Sequence, residues 1–136
     1  MIFIDTGAFL GRFVQRDQYH VVCTQAWDEL RQSSVQCVTS NFVLNETFTL
    51  LARRTNYRFA AQRARQLLSS RELRILRPGR EEEQAALGWF EKYADQRVSF
   101  TDCLSFVVLR NHRIHRVFGF DRHFALAGFE LWPDRK

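Results

Sequence analysis

Short unbroken apolar runs alternate along this chain with longer stretches whose apolar residues recur at helical spacing. The first run, Ile2-Phe3-Ile4, has no polar break, the pattern of a strand buried on both faces of a parallel sheet. Gly7 marks the turn that ends it. Further strands are expected at Val35 to Val38, Leu73 to Leu76, Val117 to Phe120 and Phe129 to Trp132. Helices are expected over Ala8 to Val14, Tyr19 to Leu30, Phe42 to Arg54, Tyr57 to Leu68 and Glu81 to Tyr93, and from Ser99 through the apolar run Leu104 to Leu109. Val22, Ala26 and Leu30 form one helical stripe, and Tyr57, Ala61, Ala64 and Leu67-Leu68 form another. Phe42, Glu46 and Leu50 share one side of their helix, which is expected to be its inner side. Thr39-Ser40-Asn41 and the Ser-x-x-Asp of Ser99 to Asp102 supply helix starts, and acids at Glu81 to Glu83 suit a helix N-terminus. Strands alternating with helices predict an α/β fold, a three-layer sandwich around a central, mainly parallel sheet.

Length and composition narrow this picture without changing it. A chain of 136 residues forms one domain, here residues 1–136, and buries a core without disulfides. Cys23, Cys37 and Cys103 are odd in number, sit among apolar neighbours and include no Cys-x-x-Cys, so buried free thiols are expected. His112 and His115 are the closest histidine pair but lack acidic or thiol partners, so no zinc site is supported. No apolar run is long enough to cross a membrane, and the N-terminus lacks the basic flank and small-residue cleavage site of a signal peptide. A cytoplasmic protein is expected. Formal net charge is +5, and nearly all of the positive charge is arginine, the only lysines being Lys92 and Lys136. Arginine grips phosphate bidentately, which favours a nucleic-acid partner, although a genome rich in G and C also favours arginine codons.

The candidate chemistry lies in four acids at apolar or helix-start positions: Asp5 after the first strand, Glu46 in the helix after the second, Asp102 in the opening turn before Leu104, and Asp121 after Val117 to Phe120. Taken singly, each can be a helix cap or a surface acid. In a parallel sheet, however, strand C-termini and the helix N-termini that follow share one edge, where ligands bind. Two carboxylates ~4 Å apart repel by ~4 kcal/mol at an effective dielectric of ~20. Hard divalent cations, Mg²⁺ or Mn²⁺, relieve that repulsion, and oxygen ligands without histidine or cysteine select them. Carboxylate-held metal with bound water suits phosphodiester hydrolysis.

These landmarks resemble the PIN domain family, and in particular the VapC-type toxin ribonucleases of bacterial toxin–antitoxin pairs. Ile2-Phe3-Ile4-Asp5-Thr6-Gly7 is similar to the family's first motif and the Glu of Asn45-Glu46-Thr47 to its second. Ser99-Phe100-Thr101-Asp102-Cys103 and Phe120-Asp121-Arg122-His123-Phe124 are similar to the third and fourth. The series runs in family order over the entire chain. The resemblance implies that Asp5, Glu46, Asp102 and Asp121 are catalytic ligands of one or two Mg²⁺ and orient a water that cleaves RNA, with Thr6 and Thr101 as supporting hydroxyls. Gly7, where many relatives carry serine, departs from the pattern and removes a possible hydrogen bond beside Asp5. An antitoxin protein and a homodimer are the partners it implies.

Arginines crowd the segment from Arg53 to Arg80, where the single acid is Glu72, and recur at Arg110, Arg113, Arg116 and Arg122. Arg116 and Arg122 are candidate substrate contacts, and Asp95 is either an auxiliary acid or a solvated one. Two rival readings stand beside the nuclease. Asp5-Thr6-Gly7 after an apolar strand also resembles the active-site motif of a retroviral-type aspartic protease, but that fold is all-β with a glycine-rich flap, and here only six glycines occur. A PIN-like module that holds RNA or a protein without cleaving is the second, and no missing acid argues for it.

Overall fold

The structure is a computed structural model that describes residues 1–134; the last two residues of the expected 1–136 domain lie outside the described residues. Five strands form one sheet in the order β3-β2-β1-β4-β5, with every neighbouring pair parallel. They are β1 (Ile2–Ile4), β2 (Cys37–Ser40), β3 (Leu73–Leu76), β4 (Arg116–Phe118) and β5 (Glu130–Trp132). Among the described residues seven α-helices connect them: α1 (Thr6–Phe13), α2 (His20–Arg31), α3 (Asn41–Arg54), α4 (Tyr57–Ser69), α5 (Arg80–Lys92), α6 (Phe100–Asn111) and α7 (Arg122–Leu126). A protease of the all-β type is thereby excluded.

The first strand is central because it is apolar on both faces. Ile2, Phe3 and Ile4 are fully buried, and their backbone pairs with β2 on one side and β4 on the other. The chain moves outward from β1 through β2 to β3, then returns across to β4 and β5. Right-handed crossovers then put α1 to α4 on one face of the sheet and α5 to α7 on the other. The packing agrees: α1 lies against α2 and α3, α3 against α4, α5 against α6, and α6 against α7. Every position of α6 from Asp102 to Leu109 is buried, so this helix lies inside the molecule.

Element boundaries moved where capping outweighed hydropathy. The second strand begins at Cys37, not Val35, and runs on to Ser40, whose side chain accepts the Val43 N–H at 3.2 Å and starts α3. The fourth stops at Phe118 and leaves Gly119 and Phe120 to a turn. Two expected faces were also wrong. In α4 the buried positions are Ala60 and Leu67, while Tyr57 and Leu68 are 78% and 53% exposed. In α3 the inner face is Val43-Thr47-Leu51, so Glu46 is not on it. A small rotation of an amphipathic helix exchanges its flanking positions, and the packing partner sets that rotation. Cys23 and Cys103 are buried and form no disulfide, as expected, and Cys37 is half-buried.

Candidate active site

The switch in strand order falls between β1 and β4, and the carboxyl ends of these two neighbours open a crevice. Asp5 leaves β1 there, and Asp121 follows β4 after the Gly119-Phe120 turn. Asp102 arrives from the first turn of α6, whose N-terminus is set by Ser99 Oγ accepting the Asp102 N–H at 3.1 Å. Glu46 reaches the same place from α3. All four line one cleft of about 430 Å³.

The alternative role of helix cap can now be decided acid by acid. Asp5 occupies the N-cap position of α1 with extended backbone, yet its side chain makes no capping bond. Its carboxyl takes the adjacent Thr6 N–H, and Asp5 is 8% exposed. Such burial is unfavourable for an acid that merely starts a helix. Asp121, by contrast, does cap: Oδ1 accepts the His123 N–H at 2.9 Å and starts α7, a helix not expected from the sequence. Its carboxyl is also hydrogen-bonded to Asp102.

The electrostatics record how crowded the cleft is. Burial, opposed by the Thr6 N–H and then reinforced by the charges of Asp121 and Glu46, pushes Asp5 up to about 7. Asp102 is pushed up to about 8, first by burial, then by Asp5 and Asp121, to which it is also hydrogen-bonded, and by Glu46. Glu46, at the exposed rim, is raised by partial burial and by Asp121. Burial and the nearby Asp102 push the Cys103 thiol up to about 11, so it stays protonated.

A histidine not singled out from the sequence stands beside the acids. His123 Nδ1 lies 3.2 Å from Asp121 Oδ1 and 3.7 Å from Asp102 Oδ2. One atom from each of the three residues falls within 4.8 Å of the others, a spacing that can hold a metal ion. Nδ1 is buried without a hydrogen-bond partner. The segment Phe120 to Phe124 carried His123 in plain sight, but nothing local indicated that α7 would turn it inward. Arg97 is the second missed residue. It lines the cleft from a left-handed backbone position, φ 55°, that ends the short turn Ala94–Gln96 and leads into α6. Tyr19 is the third, its ring stacked on Phe120 at 3.9 Å.

Other expected residues lie elsewhere or act differently. Arg116 is at the N-terminal end of β4, on the opposite sheet edge, with its guanidinium 5.9 Å from the Trp132 ring. Arg122 and Thr101 are outside the cleft lining, and Asp95 is exposed in the turn before α6. Thr6 supports the site through α3: its hydroxyl donates to the Val43 carbonyl at 3.5 Å and accepts from Thr47 Oγ1 at 3.3 Å. The start of α1, which carries Asp5, is thereby tied to the helix that carries Glu46. Gly7 has a local reason, since a Cβ there would stand 3.2 Å from the Phe120 ring.

Comparison with known proteins matches this arrangement. The PIN domain family model matches residues 2–130. The 23S rRNA-specific endonuclease VapC20 of Mycobacterium tuberculosis, from two strains, is 33% identical over 135 residues, covering 98% of this chain and all of that protein. The crystal structure of Mycobacterium tuberculosis VapC20, a sarcin-ricin loop cleaving toxin, superposes with a TM-score of 0.86 at 31% identity, over 95% of this chain and 96% of that one. With its acids gathered at the switch point of a parallel sheet, and the matches running nearly end to end, this chain belongs to the PIN domain family and to its VapC-type proteins.

Proposed function

We propose that the protein is a metal-dependent endoribonuclease, the toxin of a type II toxin–antitoxin pair, with Mg²⁺ or Mn²⁺ as its ion. The observation that carries this reading is the convergence of Asp5, Glu46, Asp102 and Asp121 in one cleft, with Asp5 and Asp102 held near 7 and 8 by burial and by their neighbours. Such acids bind a cation in exchange for their protons. Asp5, Glu46, Asp102 and Asp121 would hold the ion, and His123, whose Nδ1 lies close to Asp102 and Asp121, is a further candidate ligand. The bound ion would lower the pKa of a water and stabilise charge on the phosphate.

The chain's own residues do the positioning. Asp5 is fixed by β1 and by the Thr6 link to α3, and Asp121 by its cap on α7. In the cation-free protein burial and the neighbouring acids keep the proton on Asp102, which is hydrogen-bonded to Asp121. Arg97 at the rim supplies a guanidinium for a phosphate oxygen of the strand. The sarcin-ricin loop of 23S rRNA, the target of the mycobacterial relative, is the first substrate we assign; a small antitoxin and a second copy of the chain are its expected partners. The whole of residues 1–136 acts as one nuclease domain. No described helix is long and apolar enough to cross a membrane, in keeping with action on cytoplasmic RNA.

The test is incubation of the protein with a sarcin-ricin loop RNA and with unrelated RNAs, with Mg²⁺, with Mn²⁺ and with EDTA. A discrete cut that EDTA abolishes and excess ion restores is expected. Binding of RNA with no cut under any of the ions would instead establish the silent-module reading. A second prediction concerns Gly119, where a Cβ would lie 3.0 Å from Asp5 Cβ and 3.4 Å from Asp5 Oδ2. Gly119→Ala should displace the Asp5 carboxyl and weaken Mn²⁺ binding by roughly 10- to 100-fold, as loss of supporting contacts does elsewhere. Isothermal titration measures this, with circular dichroism to confirm an intact fold.

A further inference from the structure

A second groove, of about 670 Å³, lies beyond the cleft where the end of α1, the start of α2 and the α3–α4 turn meet. Arg12, Arg16, Arg54, Arg63 and His20 line it, and no carboxylate does. One acid touches its edge: Asp17, whose Oδ2 accepts from Arg54 Nη1 at 2.8 Å. Phe13 and Phe59 supply its apolar surface. The Arg63 guanidinium lies 4.8 Å from the Phe59 ring and 5.6 Å from the Phe13 ring, and that of Arg12 lies 5.1 Å from Phe13. Stacking of this kind fixes the guanidinium plane and leaves its N–H edge for an oxyanion.

The groove is also short of negative charge. Arg63 Nη1 donates to Gln66 Oε1 at 2.6 Å, but its Nε is buried with no partner. Burial, then the like charges of Arg31 and Arg63, pull the Arg12 guanidinium below its usual range. Four arginines around one groove, with a single carboxylate, that of Asp17, at its edge, are suited to a multivalent anion.

Cleft and groove share their walls. Helix α1 gives Thr6, Gly7 and Leu10 to the cleft and Arg12 and Phe13 to the groove. The following loop gives Asp17 and Gln18 to the first and Gln15 and Arg16 to the second. Along α1 the distance from Thr6 to Phe13 is ~10 Å at 1.5 Å per residue, a length that ~3 phosphates cover even at duplex spacing.

We propose that this arginine groove binds the phosphodiester backbone of the single-stranded RNA whose scissile phosphate lies in the carboxylate cleft. The inference rests on the nuclease reading, because a strand entering the cleft must continue past it, and this groove is a cationic channel that adjoins it. An acidic peptide would meet the same arginines, but only a polynucleotide also has a reason to occupy the cleft.

The test is anisotropy of a fluorescent single-stranded RNA of about 15 nucleotides, titrated in EDTA at several salt concentrations, with a glutamate-rich peptide in parallel. Because EDTA stops cleavage, this reads the groove apart from catalysis, and failure of the wild type to cut RNA with added metal would count against the nuclease reading alone. Arg16→Ala, at an exposed loop position, and Arg63→Gln should each weaken RNA binding about tenfold. Each should also make the log Kd against log salt slope shallower by ~0.7, the value for one phosphate contact on a single strand. Arg63→Lys, which keeps the charge, should recover part of the loss. Because Arg63 also covers Phe13 and Phe59, Arg16→Ala decides the matter if Arg63→Gln fails to fold. Unchanged affinity and slope in Arg16→Ala, or arginine-dependent binding of the peptide but not of RNA, would overturn the proposal.

Discussion

Asp102→Asn should lower the rate of RNA cleavage by about 10³-fold or more while leaving the fold intact. Asparagine keeps the shape of the side chain, and Asp102 is a buried residue of α6 whose backbone N–H, not its carboxyl, makes the helix-start bond to Ser99. What is lost is a negative oxygen beside Asp121 and His123. A metal ion contributes several kcal/mol of charge stabilisation at a phosphate, and each ~1.4 kcal/mol is a factor of ten in rate. Losing a principal ligand therefore removes about three orders of magnitude. Asp5→Asn should behave alike, since Asp5 lies equally deep at the end of β1. Initial rates on the RNA that the wild type cuts, at saturating Mg²⁺ or Mn²⁺, measure both. Cleavage by Asp102→Asn at the wild-type rate would remove this residue from the chemistry and leave the nuclease assignment without its central acid.

The second large effect is on stability. Unfolded, Asp5 and Asp102 titrate near 3.8; folded, they are held at about 7 and about 8. Between these limits the native state carries protons that the unfolded state has lost, so unfolding free energy falls as pH rises. Their contribution is fully present below about pH 4, falls progressively above it, and is lost once pH has risen through 7 and 8. One pKa unit corresponds to ~1.4 kcal/mol, so the combined loss is on the order of several kcal/mol. Thermal melts in EDTA should therefore show Tm falling from pH 5 to pH 8.5. Mn²⁺ should restore Tm most at the alkaline end, where the ligands are already ionised. Asp102→Asn should flatten the profile in EDTA and melt higher than the wild type near pH 8, because the repulsion is gone. A wild-type Tm that rises over this range in EDTA, with no difference from Asp102→Asn, would contradict the idea of frustrated carboxylates.

The two effects oppose each other in sign, and that opposition is informative. A residue whose removal stabilises the apo protein and disables the enzyme is retained for its chemistry, not for the fold. Residues such as Thr6 and Thr47 contribute the other kind of support, since their hydroxyls bond to one another and to Val43.

Much of the architecture was legible along the chain because its signals are local. An apolar triplet at Ile2 to Ile4 is buried on both sides whatever its neighbours are. Ser40 and Ser99 accept backbone N–H groups three residues ahead, so the starts of α3 and α6 are written within one turn. The acids were legible for the same reason: Asp5, Asp102 and Asp121 each stand where an element begins or ends, and in a parallel sheet those positions share an edge.

Other features depended on packing between distant segments. Glu46 was expected on the inner side of α3, but Val43, Thr47 and Leu51 take that side, and Glu46 stands at the rim. Arg116 looked close to Asp121 in sequence, yet the length of β4 carries it to the far edge of the sheet. His123 and Arg97 became part of the site only through the inward turn of α7 and the left-handed residue before α6. The groove of Arg12, Arg16, Arg54 and Arg63 draws on four helices and two loops, and no window of the sequence contains it.

By itself, then, the sequence determined the alternation of strands and helices and the placement of an acid at the end of β1 and β4 and at the start of α6, because periodicity, turn residues and caps act over a few residues. Tertiary structure decided that β1 and β4 are neighbours at the point where strand order reverses. That adjacency brings residues more than a hundred positions apart into one cleft, where burial and mutual repulsion make Asp5 and Asp102 hold their protons. Strand order depends on the whole set of crossovers, and no local pattern encodes it.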